Sequence, residues 1–429
     1  MERMQRAVEG RDGGGQPRAL CGHVVYLAVA GLWPRARGAL YVWHAALVQA
    51  CAACYVALGL ASVHSARGDV DAISHTLMHT LEVVSGMVKA GLFFGKRRAF
   101  YRLVHDLHAL VSADWERPEL ARARRRARRM TVSLSVYIYA LILLWLPAPL
   151  LVAGERRLLP VVQIHGVDWS RRPGAYAALY TLQCVVLLTQ VPVVIGLDCF
   201  FVAAMLHAGA LLQLLGRRVS GLWLSGDAEA PVDGGYDTQQ ALYADLCGCI
   251  RTHQKITKFL RDLESAMSAM VLVQFSSNMV GLCMTLYQQT QIKTCLEMKS
   301  ASLQIKDAYF QMKDACLQMK GMCSQIKDAL TALQYALILP FYTGQLYFYC
   351  WTADVITEQG EALSSAAYSS GWVGSSAGFQ RALSVVMARA HRPLVMTAGR
   401  LYPITTATFV ALMKASYSYY TLLRQLDAD

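Results

Sequence analysis

A chain of 429 residues that is 55% hydrophobic and only 16% charged falls well short of the roughly one-quarter charged content normal for soluble domains, and reads as a multi-span membrane protein. Its net charge of +12 would suit nucleic acid in a soluble chain. Here the basic residues sit in short segments flanking apolar runs, which is the pattern of membrane topology and argues against a nucleic-acid partner.

The N-terminal stretch MERMQRAVEGRDGGGQPR lacks the apolar core and small-residue cleavage site of a secretory signal, so it is expected to be retained and cytosolic. Residues 20–34, LCGHVVYLAVAGLWP, are apolar but too short for a hydrocarbon core of about 30 Å. They predict a re-entrant or interfacial helix ending at Pro34, within an N-terminal segment 1–38. Longer runs follow at about 39–63, 73–94, 130–151, 176–206, 266–287, 334–352 and 401–423. The expected fold is therefore all-α, a seven-transmembrane helix bundle.

Orientation follows from the basic loops. The segment after the second span carries Lys96, Arg97, Arg98, Arg102, Arg117 and the run Arg122 to Arg129, whereas the one before it has only Arg67. By the positive-inside rule the N-terminus is cytosolic and the C-terminus extracellular. The fourth span contains Pro192 and Asp198 and is predicted to continue to Arg217-Arg218; residues 238–265 are predicted to run as a helix into the fifth. Residues 357–372 and 380–399 complete an expected cytosolic helical anchor region where subunits meet.

Residues 288–332 form an atypical heptad block. Met298-Lys299, Ile305-Lys306, Met312-Lys313, Met319-Lys320 and Ile326-Lys327 recur every seven residues. It reads as an insertion in the outer loop, either a coiled-coil partner helix or a translated tandem repeat.

The last expected helix covers YPITTATFVALMKASYSYYTLLRQL, residues 402–426, beginning at Tyr402-Pro403. An apolar helix with this many hydroxyls either packs into the bundle or lines a water-filled path. Ionisable groups within spans are costly and often functional. Lys414 lies near mid-helix and calls for a buried partner or a cavity, Lys89 can snorkel to the interface, and Glu82 lies within the second span.

Metal and catalytic signals are weak. Cys51 and Cys54 have zinc-like spacing without a second pair. His75 and His79 share a helix face in HTLMH, which lacks the glutamate of a zinc protease, and are read as helix surface. No nucleophile motif or paired intramembrane carboxylates are visible, so no catalytic residues, no metal and no cofactor are expected, and the chain is not read as an enzyme.

Several short stretches together resemble the insect odorant receptors: Gly31-Leu32-Trp33-Pro34, Asp198-Cys199-Phe200-Phe201, His253-Gln254, Tyr349-Cys350, Ala367-Tyr368 with Gly371-Trp372, Arg392-Pro393, Thr397-Ala398-Gly399 and the closing Lys414-Ala415-Ser416-Tyr417-Ser418-Tyr419. The resemblance covers nearly the whole chain except the heptad block. It implies a tuning subunit of an odorant-gated cation channel in the plasma membrane of a sensory neuron dendrite. Such a subunit would assemble with the odorant co-receptor as a hetero-tetramer, contact membrane lipid and bind a small volatile ligand. A gustatory-type receptor channel for a soluble tastant is the alternative, since Ser418 to Leu426 also resembles a variant of the gustatory signature.

What the resemblance implies about residues is specific. Leu422 and Leu426 fall at the hydrophobic gate of a pore lined by the last helix, with Gln425 at its outer mouth. The ligand would lie in the outer half of the membrane, within residues 39–287 and the sixth span. Candidates are Met78, Leu81, Tyr137, Leu141, Trp145, Tyr180, Gln183, Tyr335 and Tyr342. Residues 333–429 would then hold spans six and seven, the anchor helices and the pore helix.

Overall fold

The computed structural model describes Leu20, His23, Leu27, Leu32 and residues 39–66, 68–151, 159–163, 172–222, 236–307 and 315–428. The chain forms an all-α seven-transmembrane bundle. Its helices are α1 (Ala39–Ser65), α2 (Val70–Ser112), α3 (Pro118–Trp145), the short α4 (Ala148–Leu151), α5 (Pro173–Gly221), α6 (Tyr236–Asp307), α7 (Ala315–Tyr368), α8 (Ala377–Ala390) and α9 (Thr406–Ala428). A small antiparallel pair, β1 (Thr397–Ala398) with β2 (Tyr402–Pro403), precedes α9. Among the described residues, five helical segments are long and apolar enough to cross a membrane: α1, α2, α3 extended through α4, α5 and α6. Helices α7 and α9 take the places of the sixth and seventh expected spans.

Helix α5 is the axis. From Val193 to Leu215 almost every side chain is buried, as expected of a helix apolar on all faces. Pro192 removes a backbone donor inside it. Helices α1, α2, α3, α6 and α7 all touch it, α2 packs along α6, and α9 lies on α6 and α7. Local chemistry sets the helix starts. Asp69 caps α2 by accepting from the Ala72 amide at 3.0 Å, Pro118 stands in the first turn of α3, and Ser376 accepts from the Phe379 amide at the start of α8.

Helices α2, α3, α5, α6 and α7 continue beyond apolar-span length at the basic end, where charge joins them. Arg217 of α5 donates to Glu119 of α3, and Arg218 donates to Asp114. The Arg124 guanidinium lies 4.1 Å over the Trp115 ring. The β pair docks on α6: the Gly399 amide donates to the Ser268 carbonyl at 2.8 Å, Ser268 Oγ to the Thr397 carbonyl at 2.6 Å, and the Thr397 amide to Glu264 at 3.1 Å. Gly399 has φ +62°, and an added Cβ would stand 2.4 Å from Leu272 Cδ2, so glycine is required both for the left-handed turn and for the close approach.

Three expectations change. The last helix begins at Thr406 rather than at Tyr402-Pro403, because Tyr402 and Pro403 pair with Thr397 and Ala398 and Asp354 of α7 accepts from the Thr406 amide at 2.8 Å. Of the expected helical anchor residues 357–372, only 357–368 are helical, as the end of α7. Lys89 does not snorkel: it is fully buried, and its ammonium pairs with Asp198 of α5 at 2.6 Å. The re-entrant helix at 20–34 lies mostly outside the described residues. The heptad block is described only as the end of α6 up to Asp307 and the start of α7 from Ala315, and its side chains from residue 293 to 328 lie outside the described residues.

The ion pair sits in a network crossing four helices. Lys89 also donates to Gln274, while Gln345 and Tyr349 of α7 both donate to the Asp198 carboxylate. Gln274 Nε2 reaches Asn278 Oδ1 at 2.6 Å and Gln345 Oε1 at 3.0 Å, and Asn278 Nδ2 reaches Gln345 Oε1 at 3.0 Å. Removing one member of such a pair strands a buried charge, which costs about 3–5 kcal/mol. Lys89→Met should therefore lower the thermal stability of the detergent-solubilised protein sharply. Lys89→Met/Asp198→Asn, which removes the buried charge and keeps one of the two acceptor oxygens that Gln345 and Tyr349 use, should be more stable than the single variant.

Candidate ligand cavity and terminal helix

One helical turn or more from that network, on the side away from α8, α2, α3, α5 and α7 enclose a cavity of about 100 Å³. Helix α3 presents Ile138, Leu141, Ile142 and Trp145, the i, i+3, i+4, i+7 face of one helix. Helix α5 presents Val186, Leu187, Gln190, Val191, Val194 and Ile195, so its Pro192 kink lies alongside. Helix α2 gives His79, Glu82 and Val83, helix α7 gives Ile338, Phe341 and Tyr342, and Val161 closes one edge. The wall is overwhelmingly apolar, as small-molecule cavities are.

Aromatic rings close one side. Trp145 packs edge-on against His79 with ring centroids 5.0 Å apart and against Tyr335 at 5.9 Å, and His75 stands 5.3 Å from His79 and 6.2 Å from Tyr335. Tyr342 lies against Gly281 of α6, where an added Cβ would stand 2.8 Å from the ring. The residue after the cavity thus leads into the polar network: the Tyr342 carbonyl accepts from Asn278 Nδ2 at 3.4 Å. Glu82 accepts from Ser277 Oγ at 3.3 Å.

The residues singled out from the sequence fall in three groups. Leu141, Trp145 and Tyr342 line the cavity, and Tyr335 stacks behind Trp145. Met78, Leu81, Tyr137, Tyr180 and Gln183 are not on its wall. Met78 is buried and its sulfur receives the Thr285 hydroxyl at 3.1 Å; Leu81 is half-buried on α2. Tyr137 donates to the Leu337 carbonyl and Tyr180 to the Leu146 carbonyl. Gln183 clamps a loop, accepting from the Val161 and Val162 amides at 2.9 and 3.2 Å and donating to the Val162 carbonyl at 2.9 Å. His79, read as helix surface, is buried against Trp145 instead.

Sequence reasoning missed Gln190 and the aliphatic stripe of α5. The signal was present: given Leu141 and Trp145, helical periodicity alone adds Ile138 and Ile142. Along α5 the choice of Tyr180 and Gln183 stopped a turn or more short of the wall.

Helix α9 is held on one side only. Phe409, Leu412 and Met413 pack on the core, Ser416 Oγ donates to the Met279 carbonyl at 3.3 Å, and Tyr420 shares a 2.8 Å hydrogen bond with Thr290. Val410, Lys414, Tyr417, Ser418, Leu422 and Gln425 are exposed along the rest. Lys414 is thus exposed within the single chain, which, of the two expectations, leaves the cavity rather than a buried partner. Leu426 belongs to α9, but its side chain lies outside the described residues.

The profile of the family described as "7tm Odorant receptor" matches residues 69–312 and 321–417. Odorant receptor Or2 of Anopheles gambiae is 26% identical over 77% of this chain and 78% of its own length. Odorant receptor 10 of Aedes albopictus is 25% identical over 61% of this chain and 59% of its own length. The chain aligns to 56% of the length of putative odorant receptor 19b of Drosophila melanogaster, at 24% identity over 60% of this chain. In three dimensions it is similar to the olfactory receptor OR5 from Machilis hrabei, alone (TM-score 0.70, 17% identity) and in complex with eugenol (TM-score 0.72, 16% identity), covering 94% of this chain and 97% of the other in each case.

Because Gly281 leaves just enough space for the Tyr342 ring, Gly281→Ala should displace that ring at an overpacking cost of about 1–3 kcal/mol. A melting curve of the purified protein reads the cost.

Proposed function

Since this chain belongs to the insect odorant receptor family, a family of membrane receptors and not of enzymes, we propose that it is a tuning subunit of an odorant-gated cation channel, with the volatile ligand held in the cavity between α2, α3, α5 and α7. It spans the membrane several times, and we place it in the plasma membrane of a sensory dendrite, N-terminus inside and C-terminus outside. The observation that carries the ligand site is an apolar, aromatic-edged cavity within the bundle, where a small volatile molecule is bound by desolvation and shape.

Gating is assigned to α9. A helix fixed on α6 and α7 along one side, with Val410, Tyr417, Leu422 and Gln425 exposed on the rest, is suited to meet its counterparts around a central axis. There, rings of leucine close a narrow pore by excluding water. Leu422 and Leu426 are the proposed gate residues, and Gln425 the outer-mouth residue. The partners are the odorant co-receptor, in a hetero-tetramer, and surrounding lipid.

A route from cavity to gate runs through contiguous contacts. Tyr342 bonds to Asn278, and the adjacent Met279 carbonyl accepts from Ser416 of α9. A ligand opens the pore only to the extent that it binds the open arrangement better than the closed one.

Co-expression with the co-receptor in cells lacking other receptors should yield odorant-evoked cation current; a surface-expressed complex silent across a broad odour panel would count against the reading. Leu422→Ser should raise ligand-free leak, by about tenfold if the gate loses ~1.4 kcal/mol of closed-state preference. Unchanged leak would remove Leu422 from the gate.

A further inference from the structure

The cavity contains a polar group with nothing to bond. Gln190 is 2% exposed, and both its amide oxygen and its amide nitrogen are buried without a hydrogen-bond partner. The other buried glutamines among the described residues all have partners: Gln183 on the Val161–Val162 backbone, Gln274 and Gln345 in the ion-pair network, Gln288 on Asp71 and Ser74, and Gln334 on the Leu144 carbonyl. A second orphan faces the same space, since His79 Nε2 is also buried and unpartnered. Of the other wall residues, Glu82 and Tyr342 have partners: Glu82 receives Ser277, and the Tyr342 side chain bonds to Glu82.

Inside a membrane an amide without a partner is costly, and nearly all buried polar groups in proteins are satisfied. The orphaned Gln190 amide, beside Gly86 of α2 and on the wall of an apolar cavity, marks the place where a ligand completes the bonding, with His79 two turns earlier on α2. Resting on the reading of this cavity as the odorant site, we propose that its preferred ligand is a short hydroxylated volatile whose O–H group is held by the Gln190 amide. The chemistry selects among classes. Gln190 offers a carbonyl acceptor and amide donors. A hydroxyl both donates and accepts. A ketone or ester oxygen only accepts and leaves the Gln190 carbonyl bare, and a hydrocarbon leaves every group bare.

Size narrows the choice further. A cavity of about 100 Å³ is smaller than the ~150 Å³ cavity that takes benzene, which points to ligands of about five or six non-hydrogen atoms.

The test uses purified full-length protein in detergent, titrated with 1-pentanol, 2-pentanone, pentane and 1-aminopentane, with binding read from the rise in melting temperature. Wild-type protein should bind pentanol at least about tenfold more tightly than pentane, with pentanone between. Gln190→Met, nearly isosteric and apolar, should keep pentane binding and lose the pentanol advantage; Gln190→Leu serves as the second variant if Gln190→Met does not fold. Pentanol preference that survives Gln190→Met, or pentane or aminopentane binding as tightly as pentanol to wild type, overturns the hydroxyl assignment while leaving the cavity as the odorant site. Binding of none of the four overturns the cavity reading itself, and the assignment with it.

Discussion

The buried ion pair between Lys89 and Asp198 is the constraint on which the arrangement of the bundle depends. A charge at membrane depth is expensive and persists only with a partner and with its remaining hydrogen bonds met. Here the requirement is met by four helices at once: Lys89 from α2, Asp198 from α5, Gln274 and Asn278 from α6, Gln345 and Tyr349 from α7. A slide of any one helix past the others by a turn would break several of these bonds together. The network therefore fixes register where apolar packing against lipid-like surroundings discriminates poorly.

The cavity is placed by the same register. With α5 and α7 pinned at Asp198 and Gln345, the wall residues Val194, Ile195 and Tyr342 stand within a turn of the pinned positions, and α2 contributes Glu82 and Val83 from the turns before Lys89. Polar network and apolar cavity are thus neighbouring layers of one core. Tyr342 belongs to both, its ring on the cavity wall and its carbonyl bonded to Asn278. The ring lies against Gly281 of α6, and two residues earlier on α6 the Met279 carbonyl accepts from Ser416 of α9.

Much of the fold was legible because the bilayer imposes length and polarity limits that leave long apolar runs in the sequence. The extension of the fourth span through Arg217-Arg218 and the helix leading into the fifth could be read from periodicity, and α5 and α6 follow them. The start of the last helix could not, since nothing in TAGRLYPIT announces that Tyr402-Pro403 will pair with Thr397-Ala398. Among proposed ligand residues, Leu141, Trp145 and Tyr342 reach the cavity because they share helix faces with it. Tyr137, Tyr180 and Gln183 lie near the expected depth, yet each spends its hydrogen bonds on backbone carbonyls or amides.

The sequence by itself determined the class of protein, the approximate spans and the family, because hydrophobic length, charge bias and short motifs are local properties of the chain. Only the tertiary structure decided that Lys89 and Asp198 are partners across 109 positions, that His79 is buried rather than exposed, and that Gln190 has no partner while the chemically identical Gln183 has three. Partnership depends on which helix face meets which neighbour, and neither residue identity nor spacing along one helix contains that information.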